Sequence, residues 1–292
     1  LYALMEPDTP TPPPPPPPLP RRRAFTGLQN QGATCYMNSL LQTLFMTPEF
    51  RNALFRYEHD AARDDAQPDC IPYQLQTLFA NLQMRSSRST SPAPPVSARR
   101  PSAVSTKPLT RAFGWKDSDG FVQNDVNELC RVLLDACERT MRGTPNRDLI
   151  RSLYQGRYFD YLRLTAPSDA VRGQMGTFND LTLVIKPFGS DTMYGSVEEM
   201  LDAYQEPELL DGDNKVFCER LKEKVAAHKG LKMTQLPYVL TLAFKRFDYD
   251  LETNQRKKIN SEVRFPYVLD MNSYCVAPWN HTWHGLFSAA FK

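Results

Sequence analysis

The segment 27–42, which reads Gly-Leu-Gln-Asn-Gln-Gly-Ala-Thr-Cys-Tyr-Met-Asn-Ser-Leu-Leu-Gln, places a cysteine where a glycine-bearing loop becomes an amphipathic helix. Met37, Leu40, Leu41, Leu44 and Phe45 follow the i, i+3, i+4, i+7, i+8 spacing of a helix that buries one face. Thr47-Pro48 predicts its end. Cys35 then falls in the first turn, where backbone N–H groups without an intrahelical partner and the positive end of the helix dipole favour a thiolate. A sulfur so placed suits attack on a carbonyl. Asn30, five residues earlier, offers an amide that can donate to an oxyanion formed beside it. A buried structural thiol is the other reading these residues leave open.

The rest of the chain supplies helices first and strands later, so the expected class is α+β. Leu75, Leu78, Phe79 and Leu82 form a helical stripe, and Val126, Leu129, Cys130, Leu133 and Cys137 form another, with Asp125 and Glu128 as a capping-box-like start. On that stripe Cys130 and Cys137 read as small core residues. Ser196-Val197-Glu198-Glu199 predicts a capping box before Met200, Leu201 and Tyr204. Residues 181–185 read as a buried strand. Leu240, Leu242 and Phe244 alternate along a second, predicted to pair with 257–265 across a turn at 250–254.

Two stretches interrupt this pattern. Residues 1–26 are a proline-rich segment with no means of building a core, and Pro17-Pro18-Leu19-Pro20-Arg21-Arg22 fits a PxxPxR ligand for an SH3 domain. Residues 84–107 are rich in Ser, Arg, Pro and Ala and read as a disordered insertion. Within it, Arg99-Arg100-Pro101-Ser102 and Ser91-Pro92 match short kinase-site patterns. The formal charge of +2 gives no field that would suggest nucleic acid, and no apolar run approaches membrane-spanning length. Cys35, Cys70, Cys130, Cys137, Cys218 and Cys275 are scattered without a pairing pattern, which points to a reducing compartment, cytoplasmic or nuclear. The opening Leu1 suggests a fragment.

The segment around Cys35 resembles the cysteine box of the ubiquitin-specific proteases. Phe113-Gly114-Trp115 with Gln123-Asn124-Asp125-Val126-Asn127-Glu128-Leu129 resembles the thumb-helix motif of that family. Residues 236–250 resemble its palm strand, and Phe265-Pro266 through Leu269-Asp270-Met271 the segment after it. The resemblance covers about residues 27–272. It implies a papain-like cysteine protease core of thumb, palm and fingers over 27–275, incomplete at the C-terminus. The implied activity is hydrolysis of isopeptide bonds at the ubiquitin C-terminus, with ubiquitin and ubiquitinated proteins as partners and no cofactor. Cys35 is then the nucleophile, Asn30 the oxyanion donor, and Asp125 the carboxylate that meets an arginine of the ubiquitin tail. Asp125 also has the plainer reading of a helix cap.

Two departures from the family accompany the match. Its glycine-histidine-aromatic strand is missing: the histidines are His59, His228, His281 and His284, and residues 276–292 read as a divergent tail. The chain is therefore expected to be weakly active or inactive by itself, and a truncated, non-catalytic ubiquitin-binding module is the alternative function. A proline-rich signalling adaptor is a third, and it requires the long match to be accidental. The second departure concerns a structural zinc, which many family members hold by two Cys-x-x-Cys pairs. This chain reads Leu164-Thr165-Ala166-Pro167 and Cys218-Glu219-Arg220-Leu221 at those positions, so no metal is expected.

Overall fold

The computed structural model describes residues 25–88, 103–116, 125–165, 171–187, 190, 192–250 and 254–275. Its first half is helical. The predicted stripe of 37–45 forms α1 (Cys35–Met46), with Met37, Leu41 and Leu44 buried. Thr47 ends it, and α2 (Pro48–Phe55) begins at once with Pro48 in the first turn, where a missing N–H costs no hydrogen bond. α3 (Ile71–Arg88) lays Leu75, Phe79 and Leu82 across both. Its Gln76 Nε2 donates to the carbonyls of Leu54 (2.9 Å) and Tyr57 (2.7 Å), tying α3 to the end of α2 and the turn after it. α4 (Lys107–Ala112), α5 (Val126–Met141) and α6 (Leu149–Tyr154) complete the layer. Phe79 is its hub, meeting Phe45 edge-on at 5.3 Å and Phe50 at 6.3 Å.

The second half is mostly strand. β1 (Gly156–Leu164) and β2 (Val171–Phe178) form a hairpin, followed by β3 (Leu181–Val184) and α7 (Val197–Gln205). Short strands β4 (Glu208–Leu210), β5 (Val216–Cys218) and β6 (Glu223–Val225) lead into β7 (Ala227–Gln235). β8 (Leu242–Lys245), β9 (Phe247–Asp250) and β10 (Gln255–Lys258) close the series. The main sheet is antiparallel in the order β2-β1-β7-β4. Its aromatic strand β1 lies against glycines of its neighbours. Tyr158 pairs with Gly176, where a Cβ would run into the tyrosine ring. A second core gathers Leu181, Leu183, Ile185, Val197, Met200, Leu201 and Met233.

Several expectations hold in detail. Ser196 caps α7, its hydroxyl accepting from Glu199 N–H at 3.2 Å, while Glu199 reaches back to Gly195 N–H at 2.8 Å, one residue before the cap. Asp125 caps α5 by accepting from Asn127 N–H at 2.8 Å. Cys137 is fully buried and Cys130 half-buried on α5, as core residues.

Others are corrected. The strand of 242–245 does not form the predicted hairpin: β8 pairs in parallel with β3, and the hairpin is β9 with β10. The chain bends at Arg246, whose N–H donates to Phe244 O at 2.9 Å and whose carbonyl accepts from Ile259 N–H at 2.7 Å. Both ends of the 84–107 stretch are folded. α3 continues to Arg88, and Val104 and Thr106 are buried, because the returning chain packs on the cysteine loop. Thr26 is likewise buried, accepting through its carbonyl from Gln42 Nε2 at 3.0 Å, so this residue of the 1–26 segment belongs to the folded part. The PxxPxR pattern, both kinase-site patterns, and His281 and His284 lie outside the described residues.

Candidate active site

The loop before α1 is held from two sides. Leu28 bridges Val104, with Gln29 N–H donating to Val104 O at 2.8 Å and Val104 N–H to Gly27 O at 2.9 Å. Gln31 Nε2 donates to Thr106 Oγ1 at 2.6 Å. Gly32 turns the chain at φ +118°, a conformation that disfavours any side chain. Thr34, at the helix start, is fully buried but gives its hydroxyl to the loop rather than to the helix. Its Oγ1 accepts from Gln31 N–H at 3.0 Å and donates to Asn30 Oδ1 at 2.9 Å; its N–H donates to the same Oδ1 at 3.1 Å.

These bonds orient Asn30. With Oδ1 committed to Thr34, the amide turns its Nδ2 donors to the opposite side, and Asn30 as a whole is exposed. Cys35 follows Thr34 directly and is exposed at the start of α1. Asn38, one turn on, donates from Nδ2 to Gln29 O at 3.3 Å, and its Oδ1 is buried with no hydrogen-bond partner among the described residues. The remaining cysteines differ from Cys35. Cys70, Cys137 and Cys218 are buried and Cys130 and Cys275 half-buried. Burial pushes the Cys130 thiol up to about 11 and Cys137 up to about 12, and raises Cys275 as well.

Asp125 is exposed at the cap of α5. The first turn of that helix is tied to the β2–β3 turn. Asp180 accepts from Arg131 Nε at 3.1 Å and Nη2 at 2.9 Å, and from Asn127 Nδ2 at 3.2 Å. Burial alone would raise the Asp180 carboxyl, but the bonds from Arg131 and Asn127 outweigh it and hold the group below its ordinary value.

Sequence reasoning missed Thr34, Gln31, Thr106 and Asp180. All four are ordinary polar residues, and the bonds that give three of them a role join positions 49 to 79 residues apart. Neither of the two described histidines lies on α1 or its loop. His59 Nε2 pairs with Asp65 O at 2.9 Å, its ring edge-on to Tyr73, and His228 lies on β7 opposite Arg163 and Leu209.

The positions that hold zinc in many relatives carry a different solution. Leu164 and Cys218 are buried together with Ala227, with Leu221, Leu162, Val216 and Val225 packed against them. One thiol among aliphatic side chains is no tetrahedral donor set, so these residues do not fit a zinc ion. Pro167 lies outside the described residues.

A cysteine at a helix start, a helical half and a half built mostly of antiparallel strands make up an α+β fold consistent with the papain-like core that the resemblance implied. Residues 26–286 match the family described as ubiquitin carboxyl-terminal hydrolase, and the chain belongs to that family. It is 47% identical over 86% of its length to ubiquitin carboxyl-terminal hydrolase 47 of Drosophila melanogaster and to that of Homo sapiens. It is 38% identical over 86% to ubiquitin C-terminal hydrolase 13 of Arabidopsis thaliana. It spans only 15%, 17% and 20% of these three relatives. Among solved structures, the SAGA Ubp8/Sgf11/Sus1/Sgf73 DUB module bound to ubiquitin aldehyde shares the fold. The TM-score is 0.68 at 24% identity, covering 91% of this chain and 56% of that one.

Proposed function

We propose that the chain supplies the nucleophile, the oxyanion donor and the tail-binding carboxylate of a deubiquitinating cysteine protease. The observation that carries this reading is the placement of Cys35, exposed at the start of α1 inside the family match while the other five cysteines are buried or half-buried. Cys35 Sγ attacks the carbonyl at the ubiquitin C-terminus, and the Asn30 amide, fixed by Thr34, donates to the oxyanion that forms. Breaking the C–N bond releases the lysine amine, which needs a proton from a group other than Cys35, Asn30 and Asp125. It leaves a thioester on Cys35 that water cleaves to free the ubiquitin carboxylate and regenerate the thiol. Asp125 pairs with an arginine of the ubiquitin tail, a charge-assisted contact.

The second reading, a module that binds ubiquitin without cleaving it, draws on the positions of the two described histidines, His59 bonded to Asp65 O and His228 on β7. One experiment separates the two. Ubiquitin carrying a C-terminal electrophile should form an adduct that Cys35→Ala abolishes, and ubiquitin-aminomethylcoumarin should be turned over only weakly. Binding with neither adduct nor turnover would establish the module and overturn the protease. The PxxPxR pattern at 17–22 supports an SH3-domain partner, and the scattered thiols support a cytoplasmic or nuclear location.

A further inference from the structure

We infer that Asp180 is a positioning residue for Asp125, a polar strap from the strand half of the molecule that sets where the tail-binding carboxylate sits. Asn127 and Arg131 are four residues apart on α5 and so share one face. Both reach Asp180. The Arg131 guanidinium meets the two carboxylate oxygens in a fork, at 3.1 and 2.9 Å, which restricts rotation as well as separation. Asn127 is the joint. Its side-chain Nδ2 donates to Asp180 Oδ2 at 3.2 Å while its backbone N–H donates to Asp125 Oδ1 at 2.8 Å. One residue thus holds two carboxylates, one at the helix cap and one beside β3.

The strap is separate from what folds α5. Leu129, Leu133 and Cys137 bury a different face of the helix in the helical core, and Leu134 and Met141 add buried contacts along its edge. Asp180 instead has a side chain only 10% exposed, and Thr182 Oγ1 adds a weaker bond at 3.4 Å. Its neighbour β3 is fixed by parallel pairing with β8 and by the burial of Leu181 and Leu183. A rigid strand therefore holds the polar face of a helix whose apolar face is anchored elsewhere. Losing the strap leaves α5 folded and lets its first turn, with Asp125, drift against the strands.

This inference rests on the proposed pairing of Asp125 with the ubiquitin tail. The test measures the affinity of the whole chain for ubiquitin and for ubiquitin trimmed of its C-terminal tail. Asp180→Ala and Arg131→Gln should each weaken intact ubiquitin by about 3–10-fold, leave trimmed ubiquitin unchanged, and add nothing in an Asp125→Ala background, the coupling expected of groups in one network. Arg131, with a 62% exposed side chain, keeps the test readable if Asp180→Ala does not fold. Equal weakening of trimmed and intact ubiquitin would show a general structural role and overturn the inference. Asp125→Ala weakening binding while both strap variants bind normally would overturn it and leave the tail reading standing. Normal binding by Asp125→Ala would overturn the tail reading and the inference with it.

Discussion

Thr34 holds Asn30 through two bonds to a single oxygen: its N–H at 3.1 Å and its hydroxyl at 2.9 Å both end on Asn30 Oδ1. An amide gripped at its oxygen has a fixed donor end, which is the preorganisation an oxyanion site requires. Thr34→Val removes the hydroxyl at nearly constant volume and strands Gln31 N–H, its donor at 3.0 Å. It should cost about 1–3 kcal/mol of stability. It should also slow adduct formation with electrophilic ubiquitin while leaving ubiquitin affinity unchanged. Asn30→Ala should slow the same reaction by about 10²–10³-fold. Unchanged rates with both variants would remove Asn30 from the site.

Cys35 should be alkylated first by iodoacetamide near neutral pH, because it is exposed and every other thiol is at least half-buried. Mass spectrometry at short times should place the label there, and Cys35→Ser should abolish the fast phase. Faster labelling of Cys70 or Cys218 would contradict the assignment.

The two thiols of α5 predict an alkaline limb in stability. Their folded values, about 11 for Cys130 and about 12 for Cys137, lie above the ordinary 9.0. The unfolded chain therefore ionises first, so their contribution is complete below about pH 9 and is lost as pH rises toward 11 and 12. Urea midpoints should fall across that window, and Cys137→Ala should flatten the fall while lowering the plateau.

Asp64 predicts the acid limb. Its carboxylate accepts from Arg63 Nε at 2.8 Å, Tyr57 OH at 2.6 Å and Asp60 N–H at 2.9 Å, and Arg63 above all holds it well below the usual carboxylate range. The unfolded chain binds its proton first, so this contribution is present above about pH 4 and is lost as pH falls below it. Asp64→Asn should be less stable at pH 7 and show a shallower acid transition by circular dichroism.

The Leu164–Cys218 cluster should stand without metal. A chelator should leave the melting temperature unchanged, and metal analysis should find no stoichiometric zinc. Leu164→Ala, at a position 3% exposed, should cost about 2–5 kcal/mol, whereas Cys218→Val should stay within about 1.5 kcal/mol. One zinc per chain would overturn this.

What the sequence determined by itself is local. The stripe from Met37 to Phe45, the stop at Thr47-Pro48, the caps at Asp125 and Ser196, and the buried strand at 181–184 all follow from 3.6- or 2-residue periods and from side chains that bond their own backbone. The glycine-bearing loop and Cys35 belong to the same class, since a turn and a helix start are written within a few residues. Tertiary structure decided the rest. β8 pairs with β3, not with the strand that follows it, because packing of Leu181 and Leu183 in a shared core fixes a partner sixty residues away, and no local period records that choice. The turn of the Asn30 amide, the return of Val104 and Thr106 onto the cysteine loop, and the meeting of Asp180 with Asn127 and Arg131 are of the same kind. Each is a polar contact between segments that become neighbours only after the apolar faces have closed, so its partners are set by the fold and not by their spacing along the chain.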